Sequence, residues 1–311
     1  MIIKCFNPIT LECFDVLTRA SSVIWNKKFL EVGSFEIHTD KCNLKKLDII
    51  QHGNNAGIVM KITKTFEETA IYGYDLRGLT AFRYLFGEQS RSGNVESIIK
   101  GLATECLMTG ERAIQHLTIA EDKKRGENIT LTTKDKLLSE CFSEIISKYS
   151  LGYEITLSDN GFLFDVVVPQ DRTQTTVFSR KLHNVEELEY DNDLLETYNI
   201  VYYSDESGSV QQVGQATGIF RRESGTDKPE EAEQFLIENA EIETLRGTAN
   251  DKLQYGIDWN IGDFVTVRFE DLETVKQITE AEIVFEPANN RVIPIFGEER
   301  ENPIKKIIQR S

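Results

Sequence analysis

Residues 57–74 read GIVMKITKTFEETAIYGY and contain two β-rich runs, Gly57–Thr65 and Thr69–Tyr74, on either side of an acidic turn at Glu67–Glu68. β-Branched and aromatic side chains favour strands, and the polar break between the runs favours a hairpin. Three more β-like runs precede them, at Leu11–Leu17, Ser34–Thr39 and Asp48–Gln51. Closely spaced short strands are typical of a small barrel or sandwich, so residues 1–87 are predicted to form a β-barrel-like domain.

The apolar spacing then changes, and residues 88–182 are predicted to form a mixed α/β domain. Asp75–Phe86 already has helical spacing, with Asp75 as its cap. Two amphipathic helices and a hairpin follow: Val95–Leu107, then Leu137–Tyr149 after a cap at Thr133, then Tyr153–Leu157 and Phe162–Val168 around Asn160-Gly161. Each helix has one apolar stripe, which is predicted to face a core.

Residues 183–297 are predicted to form a second β-barrel-like domain with one helix. The helix is placed between Thr226 and Gly247, because Asp227, Pro229 and Glu230 are typical of a helix start. The predicted strands are Asn199–Ser204, Ser209–Val213, Phe264–Phe269, Thr274–Phe285 and Arg291–Ile295. Residues 298–311 form a charged tail, and the predicted fold class is mainly β with an α+β insertion.

Length and composition indicate a folded globular protein. The 311 residues are 40% hydrophobic and 28% charged, which is ordinary globular usage. Five cysteines without a Cys-x-x-Cys pair argue against a disulfide framework and a thiolate metal site. The amino terminus does not have a secretory pattern, and the apolar runs are far shorter than the roughly 20 residues of a membrane span. We therefore expect no membrane span.

The charge of the chain is strongly biased toward one segment. The net charge is −16, and residues 183–250 hold 16 acidic residues against four basic ones. Proteins that bind duplex DNA need a basic surface to neutralise phosphates. The sequence therefore argues against nucleic-acid binding and is compatible with repulsion of DNA.

The sequence does not contain a recognisable catalytic, cofactor or metal motif. The histidines, His38, His52, His116 and His183, are isolated, and neither a nucleophile elbow nor a phosphate or dinucleotide loop is present. The acidic clusters at Glu186–Glu189 and Glu230–Glu233 are interpreted as solvated faces or a charged cavity wall. Asp191–Asp193 lacks the glycine and distal glutamate of a calcium loop. The chain is predicted to be non-enzymatic, without a cofactor.

A series of turn and strand signatures extends over nearly the whole chain. They are Trp25, Gly33–Ile37, Leu47–Ile50, Gly57–Val59, Gly73–Leu79 leading to Arg83, Asn184, Asn199, Trp259–Val267 and Ile293–Gly297. In this order they resemble the siphophage tail-hub family, the tail-associated (Tal-like) proteins related to phage baseplate hub proteins. The middle section, residues 88–150, matches least well.

The resemblance implies two barrel-like domains arranged around a threefold axis, as a homotrimer with a pseudo-sixfold ring. It implies a virion structural protein at the tail tip, made in the bacterial host cytoplasm. The implied partners are the distal tail ring protein, the tape-measure protein and a tail-tip or fibre protein, with DNA passing through the channel without specific binding. Since the chain ends fourteen residues after Gly297, we expect no peptidoglycan-cleaving region.

Two other functions are considered. One is a tail-associated cell-wall hydrolase or endopeptidase, because longer members of the family carry that activity. The other is a carbohydrate-binding module with exposed aromatic side chains at Tyr198, Tyr202, Tyr203 and Trp259.

The acidic segment, residues 183–250, is predicted to face the DNA channel in part, where it would repel phosphates. The alternative is a solvated helix face formed by Glu230, Glu231, Glu233, Glu238, Glu241 and Glu243.

Overall fold

The computed structural model describes residues 1–297 except 196, 206, 228–231 and 288, and at 193, 234, 237, 238 and 242 it describes the backbone alone. The helices are α1 (Gly78–Ala81), α2 (Val95–Met108), α3 (Leu138–Tyr149) and α4 (Ala232–Glu238). The strands are β1 (Ile3–Phe6), β2 (Cys13–Leu17), β3 (Ala20–Lys28), β4 (Ser34–Thr39), β5 (Ile49–His52), β6 (Asn55–Lys64), β7 (Thr69–Asp75), β8 (Tyr84–Asn94), β9 (Leu117–Ile119), β10 (Asn128–Leu137), β11 (Gly152–Ser158), β12 (Gly161–Val167), β13 (Val177–Ser179), β14 (Val185–Asp193), β15 (Ile200–Ser204), β16 (Val210–Val213), β17 (Glu223–Gly225), β18 (Ile242–Ala249), β19 (Phe264–Phe269), β20 (Leu272–Phe285) and β21 (Arg291–Phe296). The protein is mainly β, as predicted.

Most of the strands belong to one large sheet. Its order is β14-β18-β21-β20-β3-β4-β7-β6-β5-β1-β2, and β19 pairs with β20 and with β13 in a side branch. β3 and β20 are antiparallel neighbours with Trp25 opposite Ile283, although they lie near opposite ends of the chain. Among the described residues, β14 and β2, at the two ends of the order, do not pair with each other.

The chain folds into two compact units. The first comprises residues 1–188 and 247–296, and the second comprises residues 189–246 and the end of the chain from Gly297. In the second unit β15 lies between β16 and β17 in a three-stranded sheet, and α4 packs against β15. The division at residues 87, 182 and 297 remains a prediction. None of the described helices is both long and apolar enough to traverse a lipid bilayer.

The two amphipathic helices face a core, as their stripes predicted. Every apolar stripe residue of α2 from Val95 to Leu107 is buried, and so is the stripe of α3 from Leu138 to Ile146, while Tyr149 is half-buried. At the centre, Phe142 packs against Tyr153 and Phe164 with ring centroids 4.9 and 5.9 Å apart. A second apolar cluster lies within the amino-terminal strands around Trp25 and Phe35.

The predicted helix over Asp75–Phe86 is wrong apart from α1. Only Gly78–Ala81 is helical, and the chain then enters β8, which pairs with β10 along nearly its whole length. Leu76 and Leu85 are both buried although only one short turn of helix lies between them. The apolar spacing therefore comes from residues in different settings, because Leu76 precedes α1 and is buried, Leu79 lies in α1, and Phe82 follows α1 and is exposed. Asp75 ends β7 instead of capping a helix, and its carboxylate accepts from the Arg77 N–H.

Two further helix boundaries differ from the prediction. Thr133 lies inside β10 and does not cap α3, whose first turn is fixed by the Leu137 N–H donating to Glu140. α4 ends at Glu238, and Gly247 lies in β18. A Cβ at Gly247 would lie 2.6 Å from Val185 and 3.0 Å from Leu188, so this glycine permits close packing. The predicted helix start at Pro229 and Glu230 lies outside the described residues.

Candidate interaction surfaces

His38 and His52 lie on separate strands, β4 and β5, and His116 and His183 lie in turns outside the helices and strands. His38 on β4 has its Nε2 2.6 Å from Glu36 and its Nδ1 3.2 Å from Glu68. Partial burial lowers the pKa of His38, but the hydrogen bonds to these two carboxylates outweigh it and raise the pKa. Both ring nitrogens of His38 lie within hydrogen-bond distance of a carboxylate, an arrangement that favours the protonated imidazole. Within the described ranges, no cluster of three or more His, Cys, Asp or Glu residues is placed to hold a metal ion.

A buried charge network joins α2 to β12. The Glu96 side chain is fully buried and accepts from the Arg125 backbone and guanidinium, while Lys100 Nζ lies 2.8 Å from both Glu96 and Asp165. Burial raises the pKa of Glu96, but the bonds from Arg125 and Lys100 outweigh it and hold the pKa well below its usual range. Lys100 also donates to the Glu121 carbonyl at 2.7 Å. The network fastens the loop before β10 to α2, so its role is structural.

The aromatic residues considered for carbohydrate binding do not form an exposed platform. Trp259 is fully buried, and its ring centroid lies 5.7 Å from Phe178. Tyr198 is half-buried with its ring 5.8 Å from Phe235, and Tyr202 bonds to Glu223 at 3.2 Å. The carbohydrate-binding alternative would need Trp259 at the surface, but this indole fills the core of the first unit.

The acidic segment is exposed in several places. Glu189, Asp191, Glu233 and Glu241 are all exposed, whereas Glu230 and Glu231 lie outside the described residues. Glu186 and Glu187 line a groove of about 750 Å³ in the first unit. The same groove is lined by Arg180, Lys181 and Arg268. This part of the segment therefore presents mixed charge instead of a uniformly negative surface.

One end of the large sheet is an uncovered strand. β2 pairs with β1 on one side, and no described strand pairs with its other side. Phe14 and Val16, which alternate along β2, are exposed, as is Ile2 next to β1. An edge strand with free backbone groups and apolar side chains is a template for pairing with another chain. This edge is the first candidate interaction surface.

This architecture is that of phage tail proteins. The chain has the fold of a tail protein from Neisseria meningitidis MC58, with 14% identity over 96% of each chain and a TM-score of 0.59. The prophage tail protein gp18 from Listeria monocytogenes EGD-e is similar over 99% of this chain and 98% of its own, with 11% identity and a TM-score of 0.55. A chain of the p2 virion baseplate in its activated conformation is similar over 97% of this chain and 100% of its own, with 10% identity and a TM-score of 0.54.

The sequence model of the Siphovirus ReqiPepy6 Gp37-like protein family matches residues 3–220, well over half of the chain, and the chain therefore belongs to this family. No curated protein matches the sequence. The resemblance to siphophage tail proteins that the signatures indicated is thereby confirmed.

Proposed function

We propose that this chain is a structural, non-catalytic protein of a phage or prophage tail, a homotrimeric hub at the tail tip. The proposed hub joins the tail tube and the distal tail ring to the tip or fibre and contacts the tape-measure protein. The fold it shares with tail and baseplate proteins supports the role in the tail. The domains proposed to build the ring are residues 1–87 and 183–297.

The observation that carries the assembly proposal is the uncovered edge of β2. Among the described residues of one protomer, no strand pairs with the outer edge of β2, where Phe14 and Val16 are exposed. A monomer with such an edge is prone to pair this strand with another chain. Identical chains that contact one another through two different surfaces form a ring when the rotation between copies closes. A ring of copies would bury the edge at each interface.

Val16→Lys is expected to shift the protein from trimer to monomer, because a lysine on an edge strand opposes pairing with another chain. Val16 is exposed, so the fold of the protomer should be retained. Multi-angle light scattering at rising concentration, alone and with the adjacent tail protein, measures the assembly. Val275→Lys, at another exposed strand valine, is the matched control and should leave trimers intact. A wild-type chain that remains monomeric under both conditions would contradict the hub proposal.

DNA passage is proposed to depend on the exposed acids of the segment 183–250. Phosphates that approach a negative wall are repelled, and screening restricts this force to about 8 Å at physiological ionic strength. Acids on the channel surface would therefore keep DNA from binding as it passes.

Glu189→Lys together with Asp191→Lys is expected to leave phage particles intact but to slow genome ejection, more so at low salt. Both residues are exposed, and lysines on the wall would form ion contacts with phosphates. Glu67→Lys with Glu111→Lys, two exposed acids outside the segment, is the control. If ejection is unchanged while assembly fails, these acids belong to an interface and the channel proposal is wrong.

A further inference from the structure

An aromatic-arginine patch, formed by Tyr84, Phe86 and Arg112, lies at one end of the ribbon that β8 and β10 form. Tyr84 and Phe86 alternate along β8, and their ring centroids are 5.1 Å apart. The Arg112 guanidinium carbon lies 5.9 Å from the Phe86 ring centroid, and its Nη2 donates to the Tyr84 carbonyl at 2.8 Å. Phe86 is 69% exposed. The patch thus presents an apolar surface and a cation side by side.

The patch is held in place by the surrounding backbone. Arg83 donates to the Cys106 carbonyl at 3.1 Å and to the Arg112 carbonyl at 2.9 Å, which ties β8 to the end of α2 and the turn after it. On the other side, the Gly87 N–H donates to Asp135 on β10 at 2.8 Å. A surface that is already ordered loses little conformational freedom when it binds a partner.

The positive charge of this patch is not neutralised locally. Among the described residues, no carboxylate lies within ion-pair distance of Arg83 or Arg112, and their guanidinium groups donate to main-chain carbonyls. Aromatic side chains and arginine are the residues that most often anchor protein interfaces. The patch therefore fits a partner surface that combines negative charge with apolar side chains.

The second unit of the chain has both of these properties. Residues 189–246 include 14 acidic and four basic residues. On the turn at Gly218–Phe220, Ile219 is 91% exposed and Phe220 is 74% exposed. Asn199 holds this turn, because its Nδ2 donates to the Phe220 carbonyl at 2.7 Å and its Oδ1 accepts from the Arg222 N–H at 2.9 Å.

We propose that the aromatic-arginine patch of one copy binds the second unit of a neighbouring copy. The second unit is acidic in composition, and the patch carries an arginine without a carboxylate partner among the described residues. Each contributes exposed apolar side chains on backbone that hydrogen bonds fix. A contact between unlike surfaces of identical chains is heterologous and closes into a ring when the rotation between copies allows it. The inference rests on the proposed trimer and assigns one of its contacts.

Photo-crosslinking from the patch tests this contact. Phe86 is replaced by benzoylphenylalanine in the full chain, and an equal mixture of ¹⁵N-labelled and unlabelled protein is irradiated at concentrations where light scattering reports trimers. We expect crosslinks between copies of different isotopic mass from position 86 to residues 189–246. The same probe at Phe66, a fully exposed residue at the β6–β7 turn, is the control and should not reach that range.

A charge reversal provides an independent measurement. Arg112→Glu is expected to raise the concentration at which half of the chains are trimeric by about tenfold or more at low salt, since the acidic partner would be repelled. Arg112→Lys should have a smaller effect because it retains the charge and loses only the planar group over Phe86. Arg180→Glu, at an exposed arginine outside the patch, should have little effect.

The outcomes separate this inference from the hub proposal. If trimers form but the crosslinks from position 86 fall in the first unit or are absent, the contact is wrong and the hub proposal stands. If Arg112→Glu and Arg180→Glu weaken the trimer equally, general charge accounts for the effect and the contact is again wrong. If light scattering reports only monomers, the hub proposal fails and the contact fails with it.

Discussion

Arg77→Met is expected to lower the free energy of unfolding by about 3–5 kcal/mol, because it leaves the carboxylate of Asp75 buried without its partner. Arg77 and Asp75 are both buried, with Nη2 and Nε of the arginine 3.1 and 3.2 Å from the same carboxylate oxygen. Arg77 also donates to the Phe29 carbonyl at 3.3 Å. Urea denaturation at pH 7 measures the loss.

The double variant Asp75→Leu/Arg77→Met is the control for this prediction. Removing both charges avoids an unpaired ion, so the double variant should be more stable than Arg77→Met alone. A single variant within about 1 kcal/mol of the wild type would show that Asp75 finds another partner, and Lys27, whose charge acts on Asp75, is the available one.

The same pair should make the stability of the protein depend on pH. Burial raises the pKa of Asp75, but the charges of Arg77 and Lys27 outweigh it and lower the pKa below its ordinary value. A carboxylate with a lowered pKa in the folded state stabilises the fold above its ordinary pKa, and this contribution is lost as the pH falls toward the lowered value. The difference in stability between the wild type and Arg77→Met should therefore shrink on acidification.

Gly73→Ala is expected to destabilise the protein by about 3 kcal/mol or more, at the upper end of overpacking effects. A Cβ at Gly73 would lie 2.0 Å from the Ile58 carbonyl oxygen and 2.5 Å from the Phe35 ring. Ile58 belongs to β6, which pairs with β7, so its carbonyl cannot turn away without breaking the ladder. Thermal or urea denaturation measures the effect.

Gly101→Ala is the matched control for this substitution. Gly101 lies in α2, where an added Cβ would meet only Arg91 at 3.8 Å. Because alanine favours helix over glycine, this variant should be more stable by about 0.5–1 kcal/mol. Equal effects of the two substitutions would contradict the steric argument at Gly73.

Local periodicity predicted most elements that follow one pattern from end to end. Ser34–Thr39 and Phe264–Phe269 are strands with the predicted bounds. The predicted helix Val95–Leu107 is also present, and α2 extends one residue further, to Met108. β4 and α2 each bury one face along their entire length, so the alternation or the stripe is complete in the sequence. β19 buries Val265, Thr266 and Val267, and its apolar alternation is still visible in the sequence. The mainly β class and the resemblance to tail proteins followed from such elements and their order.

The failures occur where burial is shared between elements. The segment Asp75–Phe86 is divided among the end of β7, the turn at Leu76, α1 and the start of β8, and its apolar spacing imitates one helix. β3 was not among the predicted strands, although Trp25 lies at its centre and is fully buried between β4 and β20. Its partner β20 is far away in the sequence, so no local pattern identifies the strand as central.

The candidate surfaces also needed the tertiary structure. The composition determined that residues 183–250 are strongly acidic, but not that Glu186 and Glu187 share a groove with three cations. The sequence did not single out Phe86 or Arg112, because the turn after α2 brings them together from separate elements.

The sequence by itself determined the fold class, the family resemblance and the charge bias, since these depend on residue types and their local spacing. Only the tertiary structure decided that β2 forms an end of the sheet with exposed apolar side chains, that Trp259 is buried and that an aromatic-arginine patch is exposed. The physical reason is that exposure and strand pairing depend on contacts between residues far apart in the chain, and such contacts leave no local pattern in the sequence.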